Sequence, residues 1–138
     1  MVQVAVCALL SRDDGRYLII RRAPSIPGGG YWCPVTGRQE PAESLHEAVA
    51  REVREEVGLE VRVGSEVHQC PTNDGRYMLR WFECQAEEPR SAFEGLSLSP
   101  SEVMDARWLL PEEVASLEPI FEATKSYFTR IARQSLRE

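Results

Sequence analysis

The sequence has no apolar run that approaches the roughly 18 residues of a transmembrane helix. Its first ten residues are mostly apolar, but no basic segment precedes them and no small-residue cleavage site follows before Arg12-Asp13-Asp14. We therefore expect this stretch to be a buried strand rather than a secretory signal. The four cysteines form no C-x-x-C pair. This scatter disfavours disulfides and zinc, and favours reduced thiols in a cytoplasmic protein without a membrane partner.

An excess of basic charge is also missing. The 138 residues include 16 Lys and Arg against 22 Asp and Glu, so the formal net charge is −6. A nucleic-acid polymer is not an expected partner, because neutralising its phosphates needs a basic face. A small phosphorylated substrate is compatible with this charge if divalent cations lie between it and the protein. The length fits one domain over residues 1–138.

Several common site motifs are absent. The Gly28-Gly29-Gly30 run has neither the lysine of a P-loop nor the spacing of a dinucleotide-binding turn, so it predicts a flexible loop near a pocket mouth. His46 and His68 stand alone, which gives no support to a zinc site or a nucleophilic triad.

The hydrophobic periodicity predicts an α/β (α+β) fold in which a mixed β-sheet lies between α-helices. Ser44 is the expected N-cap of the central helix and Gly58 its left-handed end. The predicted elements are strands at 2–10, 16–20, 31–35, 59–70, 76–86 and 106–110, a helix at 44–57, a helical turn from Pro111 and a terminal helix at 118–133.

The helix at 44–57 carries carboxylates on an unusual face. At about 100° per residue, Glu52 and Glu56 fall within roughly 20° of Leu45, on the apolar stripe. Glu55 lies at the edge of that stripe. Carboxylates that face inward repel one another and are costly to bury unpaired. Arg51 alone cannot neutralise them, so we expect a divalent ion with oxygen ligands, Mg²⁺ above all.

The residues from Gly37 to Leu59 reproduce the Nudix box, G-x5-E-x7-R-E-U-x-E-E-x-G-U with U aliphatic, at every fixed position. The chain therefore resembles the Nudix hydrolases. The resemblance implies a hydrolase that cleaves a diphosphate linkage in a nucleoside triphosphate or a related nucleoside or pterin derivative. Water attacks phosphorus, and Mg²⁺, replaceable by Mn²⁺, offsets the phosphate charge.

The resemblance also implies roles for individual residues. Glu52, Glu55 and Glu56 correspond to the glutamates that hold the metal. Arg51 corresponds to an orienting residue that is usually not a ligand. The base is a box glutamate, Glu55 or Glu56, or a glutamate from a later loop, where Glu102 stands.

Two positions near the box depart from the commonest form. Thr36 replaces the first glycine of a Gly-Gly pair, and Ala42 replaces a glycine before Glu43. The carbonyl before Gly37 often contributes to the metal site, so the resemblance leaves Thr36 as a candidate contact.

Trp32 and the Val-Thr-Gly run that leads into the box resemble the dihydroneopterin triphosphate pyrophosphohydrolase branch. Trp32 either packs in the core or stacks on a pterin or purine ring. Arg21 and Arg22 are candidate phosphate contacts or simply exposed at a strand end. A binding-only Nudix module is the alternative function, although no box glutamate is missing. The sequence leaves the oligomeric state open, a homodimer included.

Overall fold

The structure is a computed structural model that describes residues 2–136. Met1, Arg137 and Glu138, the outermost residues of the predicted domain, lie outside the described residues. The elements follow one another as β1 (Gln3–Leu10), β2 (Tyr17–Arg22), β3 (Trp32–Cys33), β4 (Val35–Arg38), α1 (Leu45–Val57), β5 (Val61–Pro71), β6 (Tyr77–Ala86), a short 3-10 turn (Pro89–Ala92), β7 (Val103–Leu109), α2 (Pro111–Val114) and α3 (Glu122–Ser135).

The strands form two sheets rather than the single sheet that the sequence predicts. The larger sheet has the order β4-β1-β6-β5 and the smaller one β3-β2-β7. In the larger sheet β1 runs parallel to β6 and antiparallel to β4, so the sheet is mixed. The α/β (α+β) class and the mixed sheet packed against helices are confirmed.

Pro34 explains why one predicted strand becomes two. The stretch 31–35 was expected to be continuous, but proline has no N–H for a sheet ladder. Trp32 and Cys33 pair with β2 in the smaller sheet, and Val35 onward pairs with β1 in the larger one. The break therefore links the two sheets at one end.

Helix α1 begins and ends as its sequence predicts. The Ser44 hydroxyl accepts from the Glu47 amide at 3.1 Å, and the Glu47 carboxylate accepts from the Ser44 amide at 3.0 Å. Gly58 ends the helix with a φ of 76°, a value that costs glycine little. Both ends of the carboxylate-bearing helix are thus held by local interactions.

Two buried clusters hold the sheets and helices together. The first packs one face of the sheets against α1 through residues such as Val49 and Val53. The second packs the other face against α3 through Trp81, Tyr127 and Phe128. All four cysteines are free, as expected. None of the helices in residues 2–136 is both long and apolar enough to cross a membrane.

The terminal helix begins at Glu122 rather than at 118. Pro119 disfavours helical geometry in the residue before it and interrupts the predicted start. Ile120, just before α3, forms an isolated bridge with Trp32 of β3, so the helix starts beside the smaller sheet.

Ala42 adopts a left-handed conformation, with a φ of 64°, and among residues 2–136 no other non-glycine residue has a positive φ. This explains why a glycine is usual there. We expect Ala42→Gly to raise the free energy of unfolding by about 0.5–1 kcal/mol, because relief of the backbone strain exceeds the entropy that glycine adds to the unfolded chain. Thermal denaturation measures the change. Ala50→Gly, inside α1, is the matched control and should destabilise by about 1 kcal/mol. A lower melting temperature for Ala42→Gly would contradict the expectation.

Candidate functional site

Two glutamates of α1 are buried against the sheet. Glu52 is 9% exposed and Glu56, one turn later, is 3% exposed. They share the buried face of the helix with Val49 and Val53, whereas Glu47 and Arg54 face solvent. The inward direction that the helical periodicity predicts for Glu52 and Glu56 is confirmed.

Burial has a large effect on Glu56. The pKa of this carboxyl is raised to about 9, first by burial and then by the neighbouring Glu52 and Glu102, while the charge of Arg22 partly opposes the shift. Burial also raises the pKa of Glu52. Within residues 2–136 one oxygen of Glu56, Oε2, is fully buried without a hydrogen-bond partner. A buried acceptor in this state calls for a partner from outside the chain.

Arg51 organises the surrounding carboxylates. Its Nε donates to Glu43 Oε2 at 2.7 Å and its Nη2 donates to Glu43 Oε1 at 3.0 Å, a bidentate pair. Its Nη1 donates to Glu52 at 2.7 Å, and Nη2 reaches the carbonyl of Arg38 at 2.9 Å. The hydrogen bond from Arg51 lowers the pKa of Glu43. Arg51 therefore ties the loop before α1 to Glu52.

Glu55 is placed differently from the other two predicted metal ligands. Its side chain is 50% exposed and accepts from Arg51 Nη1 at 3.2 Å. No three Asp, Glu, His or Cys side chains of residues 2–136 come close enough together to hold an ion. The structure thus brings Glu52 and Glu56 together but not Glu55, because Glu55 lies at the helix edge and Arg51 holds its carboxylate.

Gly37 lets α1 approach strand β4. A Cβ atom at this position would overlap the carboxyl group of Glu52. No unusual backbone angle is involved, so glycine is needed here for space and not for conformational freedom. Any side chain at 37 would displace the Glu52 carboxylate.

The loop that carries Glu102 is docked on the end of α1 by backbone hydrogen bonds. The Ser97 amide donates to the carbonyl of Val57 at 3.1 Å, and the Ser99 amide donates to that of Glu56 at 3.0 Å. The Glu102 amide donates to Ser99 at 3.0 Å. These bonds satisfy terminal carbonyls of the helix and bring half-buried Glu102 near Glu56.

A cavity of about 360 Å³ adjoins this acidic site. Arg22 connects the two: it lines the cavity, and its charge also reaches Glu56. Thr36 lies in the cavity wall, with its hydroxyl donating to the carbonyl of Pro34 at 2.9 Å. Most of the wall is apolar, and its other members include Cys7, Cys33, Leu79, Trp81 and Phe121, with Thr72, Asn73, Asp74, Tyr77 and Thr124 as polar exceptions.

Trp32 and Arg21 lie away from this cavity. Trp32 is 3% exposed and belongs to the second buried cluster, so its position matches the core-packing alternative. Arg21 Nε donates to the carbonyl of Gly30 at 2.8 Å, and its guanidinium lies 5.6 Å from the Trp32 ring centre. Successive strand residues point to opposite faces, which separates Arg21 from Arg22.

The residues of the acidic site fit a hard divalent cation. Two adjacent carboxylates in a region that disfavours their charge offer the oxygen ligands that such cations prefer. The orphaned Oε2 of Glu56 supplies a vacant acceptor. Glu55 would join them only after releasing Arg51.

The sequence does not indicate that the turn before β6 and the start of α3 line the cavity. Asn73 and Asp74 fall between the predicted strands 59–70 and 76–86, and Phe121 and Thr124 fall within the predicted terminal helix, so the sequence alone does not mark them as site residues. Two features of the sequence could have indicated this wall. Thr124 places a hydroxyl on the apolar side of the terminal helix, and Pro119 delays the start of that helix to Glu122.

Comparison with known proteins gives a consistent picture. A family model described as "NUDIX domain" matches residues 1–131. A MutT protein from Methanosarcina mazei Go1 has a similar solved structure, with a TM-score of 0.80, 25% identity, and coverage of 97% of this chain and 95% of that one.

Two curated relatives carry different functional names. The CTP pyrophosphohydrolase of Escherichia coli (strain K12) is 37% identical over 67 residues, which cover 49% of this chain and 50% of the relative. An isopentenyl-diphosphate Delta-isomerase from Enterobacter sp. (strain 638) is 30% identical over 138 aligned residues, which cover 93% of this chain and 70% of the relative. The chain spans half or less of the length of several curated relatives that it matches.

Proposed function

The chain belongs to the NUDIX family, and from this membership together with its buried carboxylate pair we propose that it is a pyrophosphohydrolase that requires a divalent metal ion. The proposed substrate is a small nucleoside or pterin triphosphate, or a related diphosphate derivative, and the proposed metal is Mg²⁺ or Mn²⁺. The observation that carries the proposal is the pair of buried glutamates, Glu52 and Glu56, with the unpartnered Oε2 of Glu56.

Family membership alone does not select the reaction, since one relative is named an isomerase. The hydrolytic reading is supported by the complete set of box glutamates and by a half-buried carboxylate, Glu102, beside Glu56. A module that only binds nucleotides has no need for this acidic cluster, whose burial costs stability.

In the proposed mechanism, Glu52, Glu56 and, once free of Arg51, Glu55 would hold the metal. When bound, the ion would offset negative charge on the diphosphate oxygens. Arg22, at the junction of cavity and acidic site, would orient a phosphate group. Arg51 keeps Glu52 in place through its bonds to Glu43 and the strand.

The proposed chemical step is attack by water at one phosphorus. A new P–O bond forms to the water oxygen, and the bridging P–O bond breaks with its electron pair leaving on the departing phosphate. The Glu102 carboxylate would take the proton of the water, with a box glutamate as the alternative acceptor. A monophosphate and pyrophosphate are the expected products from a triphosphate.

A substrate panel with product analysis tests this function. We expect hydrolysis of at least one of the canonical nucleoside triphosphates, oxidised nucleotides, dihydroneopterin triphosphate, ADP-ribose or diadenosine polyphosphates, measured by chromatography of the products. Chelation should abolish turnover and added Mg²⁺ should restore it. Reaction in ¹⁸O-labelled water identifies the attacked phosphorus. Turnover that persists after complete removal of metal would contradict the proposal.

A further inference from the structure

The loop 23–30, between β2 and β3, forms one side of the cavity. Pro27 and Gly28 of this loop line the cavity, and Arg22 lies at the loop's start. The loop closes on itself through its main chain, because the Gly30 amide donates to the Arg22 carbonyl at 2.9 Å. The side of the cavity that these residues form is therefore attached directly to the end of β2.

The side chain of Arg22 is also bound to this loop. Its Nε donates to the carbonyl of Pro27 at 2.8 Å. This bond occupies the N–H of Nε and leaves the N–H groups of both Nη atoms for a ligand. Burial raises the pKa of Cys33, in the cavity wall, to about 11, and the charge of Arg22 partly offsets that rise, as it does at Glu56. The guanidinium therefore acts on both the cavity and the acidic site.

Gly28 packs against two side chains of the cavity wall. A Cβ atom at this position would lie 2.6 Å from Cζ of Phe121 and 3.3 Å from Nε of Arg22. Carbon atoms in contact are normally about 3.5–4.0 Å apart, so the first contact forces a movement. The Phe121 ring is packed against Tyr31, with 4.9 Å between the ring centres, which limits how far it can move. A side chain at Gly28 would therefore displace the loop, and with it the Pro27 carbonyl that holds Arg22.

Gly30 lies in the same loop and has no such contacts. Gly28 and Gly30 both have a positive φ, 74° and 85°. An alanine at either position would adopt the left-handed backbone that glycine tolerates best. A Cβ atom at Gly30, however, meets nothing within 4 Å. Comparison of the two positions therefore separates the effect of the backbone from that of the contact with Arg22 and Phe121.

We propose that Gly28 is a positioning residue that acts through Arg22. Its lack of a side chain lets the loop bring the Pro27 carbonyl to Nε, and this bond fixes the plane in which the Nη groups meet a phosphate of the substrate. A forked contact to phosphate depends on that plane as well as on the charge. The inference rests on the proposed function, in which Arg22 orients a phosphate group, and it adds to that function a residue that need not touch the phosphate.

Binding of a diphosphate analogue tests the inference without turnover. The probe is imidodiphosphate with Mg²⁺, and isothermal titration calorimetry measures its affinity. We expect Gly28→Ala to weaken binding by about tenfold, the effect of losing one charge-assisted hydrogen bond. Gly30→Ala is the matched control and should stay within about twofold of wild type. Thermal denaturation checks that both variants are folded.

A double-mutant cycle with Arg22 separates positioning from a general structural effect. Arg22→Ala alone should weaken binding by about tenfold or more. In that background Gly28→Ala should add less than about twofold, because the group through which it acts is gone. Arg22→Lys keeps the charge but loses the fork, so its affinity should be closer to that of Arg22→Ala than to wild type. This variant leaves Gly28 unchanged and does not depend on how alanine fits there.

Four results would overturn the inference: equal losses in Gly28→Ala and Gly30→Ala, full additivity of Gly28→Ala with Arg22→Ala, wild-type affinity in Arg22→Lys, or no binding of the probe by the wild-type protein. The proposed hydrolase function is tested separately by the substrate panel. It stands in each of these cases if a substrate of the panel is cleaved with added metal, and it fails if none is.

Discussion

Replacement of Glu56 by glutamine is expected to lower turnover by about 10³-fold or more, because it removes a buried negative oxygen ligand from the proposed metal site. The same change should make the metal-free protein more stable at pH 8. The carboxyl is buried with one oxygen unpaired, whereas an introduced amide is neutral and can donate to Glu52. Activity and stability should therefore change in opposite directions.

The raised pKa of Glu56 determines the direction in which the stability of the metal-free protein changes with pH. The pKa of Glu56 is about 9 in the fold, against an ordinary value of 4.5. Because this pKa is raised, the protonated Glu56 carboxyl contributes its full share of the free energy of unfolding below pH 4.5. That contribution is lost as the pH rises through about 9. Unfolding of the metal-free wild-type protein by urea should show this loss, at up to about 1.4 kcal/mol per pH unit. The loss should be smaller in Glu56→Gln.

Glu47→Gln is the matched control, since Glu47 lies on the exposed side of the same helix. It should leave turnover within about twofold of wild type, because it lies outside the proposed metal site. Added Mg²⁺ should raise the melting temperature of the wild-type protein and of this control, but have little effect on Glu56→Gln. A Glu56→Gln protein as active as wild type would remove the basis of the proposed mechanism.

Among substitutions in the site that add one methyl group, Gly37→Ala should cause the largest losses of stability and turnover. The new Cβ would occupy the space of the Glu52 carboxyl, which Arg51 holds from its other side. We expect a loss of about 1–3 kcal/mol in unfolding free energy, the usual range for overpacking, and at least about 100-fold in turnover as Glu52 is displaced.

Two further variants isolate the cause. Gly95→Ala should be neutral, because a Cβ there meets nothing within 4 Å. Combining Gly37→Ala with Glu52→Ala should recover stability, since the overlapping carboxyl is gone, but not activity. Gly37→Ala with wild-type turnover, or a double variant no more stable than Gly37→Ala alone, would show that the contact between position 37 and Glu52 is not the cause.

Much of the site could be predicted because it is local. The direction of Glu52 and Glu56 follows from the helical repeat, and the caps at Ser44 and Gly58 depend on neighbouring residues. These contacts lie within a few positions of one another along the chain. Periodicity and spacing are sufficient for such features, and the structure confirms them.

The cavity could not be predicted in the same way. Its wall combines β1, the turn before β6, and the start of α3, which are far apart in sequence. Whether Glu55 faces the other carboxylates depends on the rotamer that Arg51 stabilises, and periodicity contains no rotamer information. The division into two sheets depends on Pro34, whose effect on pairing needs both partner strands to be known.

The way in which the loop carrying Glu102 docks on α1 determines which substitutions this loop tolerates. Ser97 and Ser99 are attached through main-chain amides, which every residue except proline possesses. Leu98, between them, packs against the first buried cluster, so the loop is held by these main-chain bonds and by an apolar side chain. Exposed positions of the loop, such as Ser97 and Ser101, can therefore change while Glu102, the proposed proton acceptor, keeps its place beside α1.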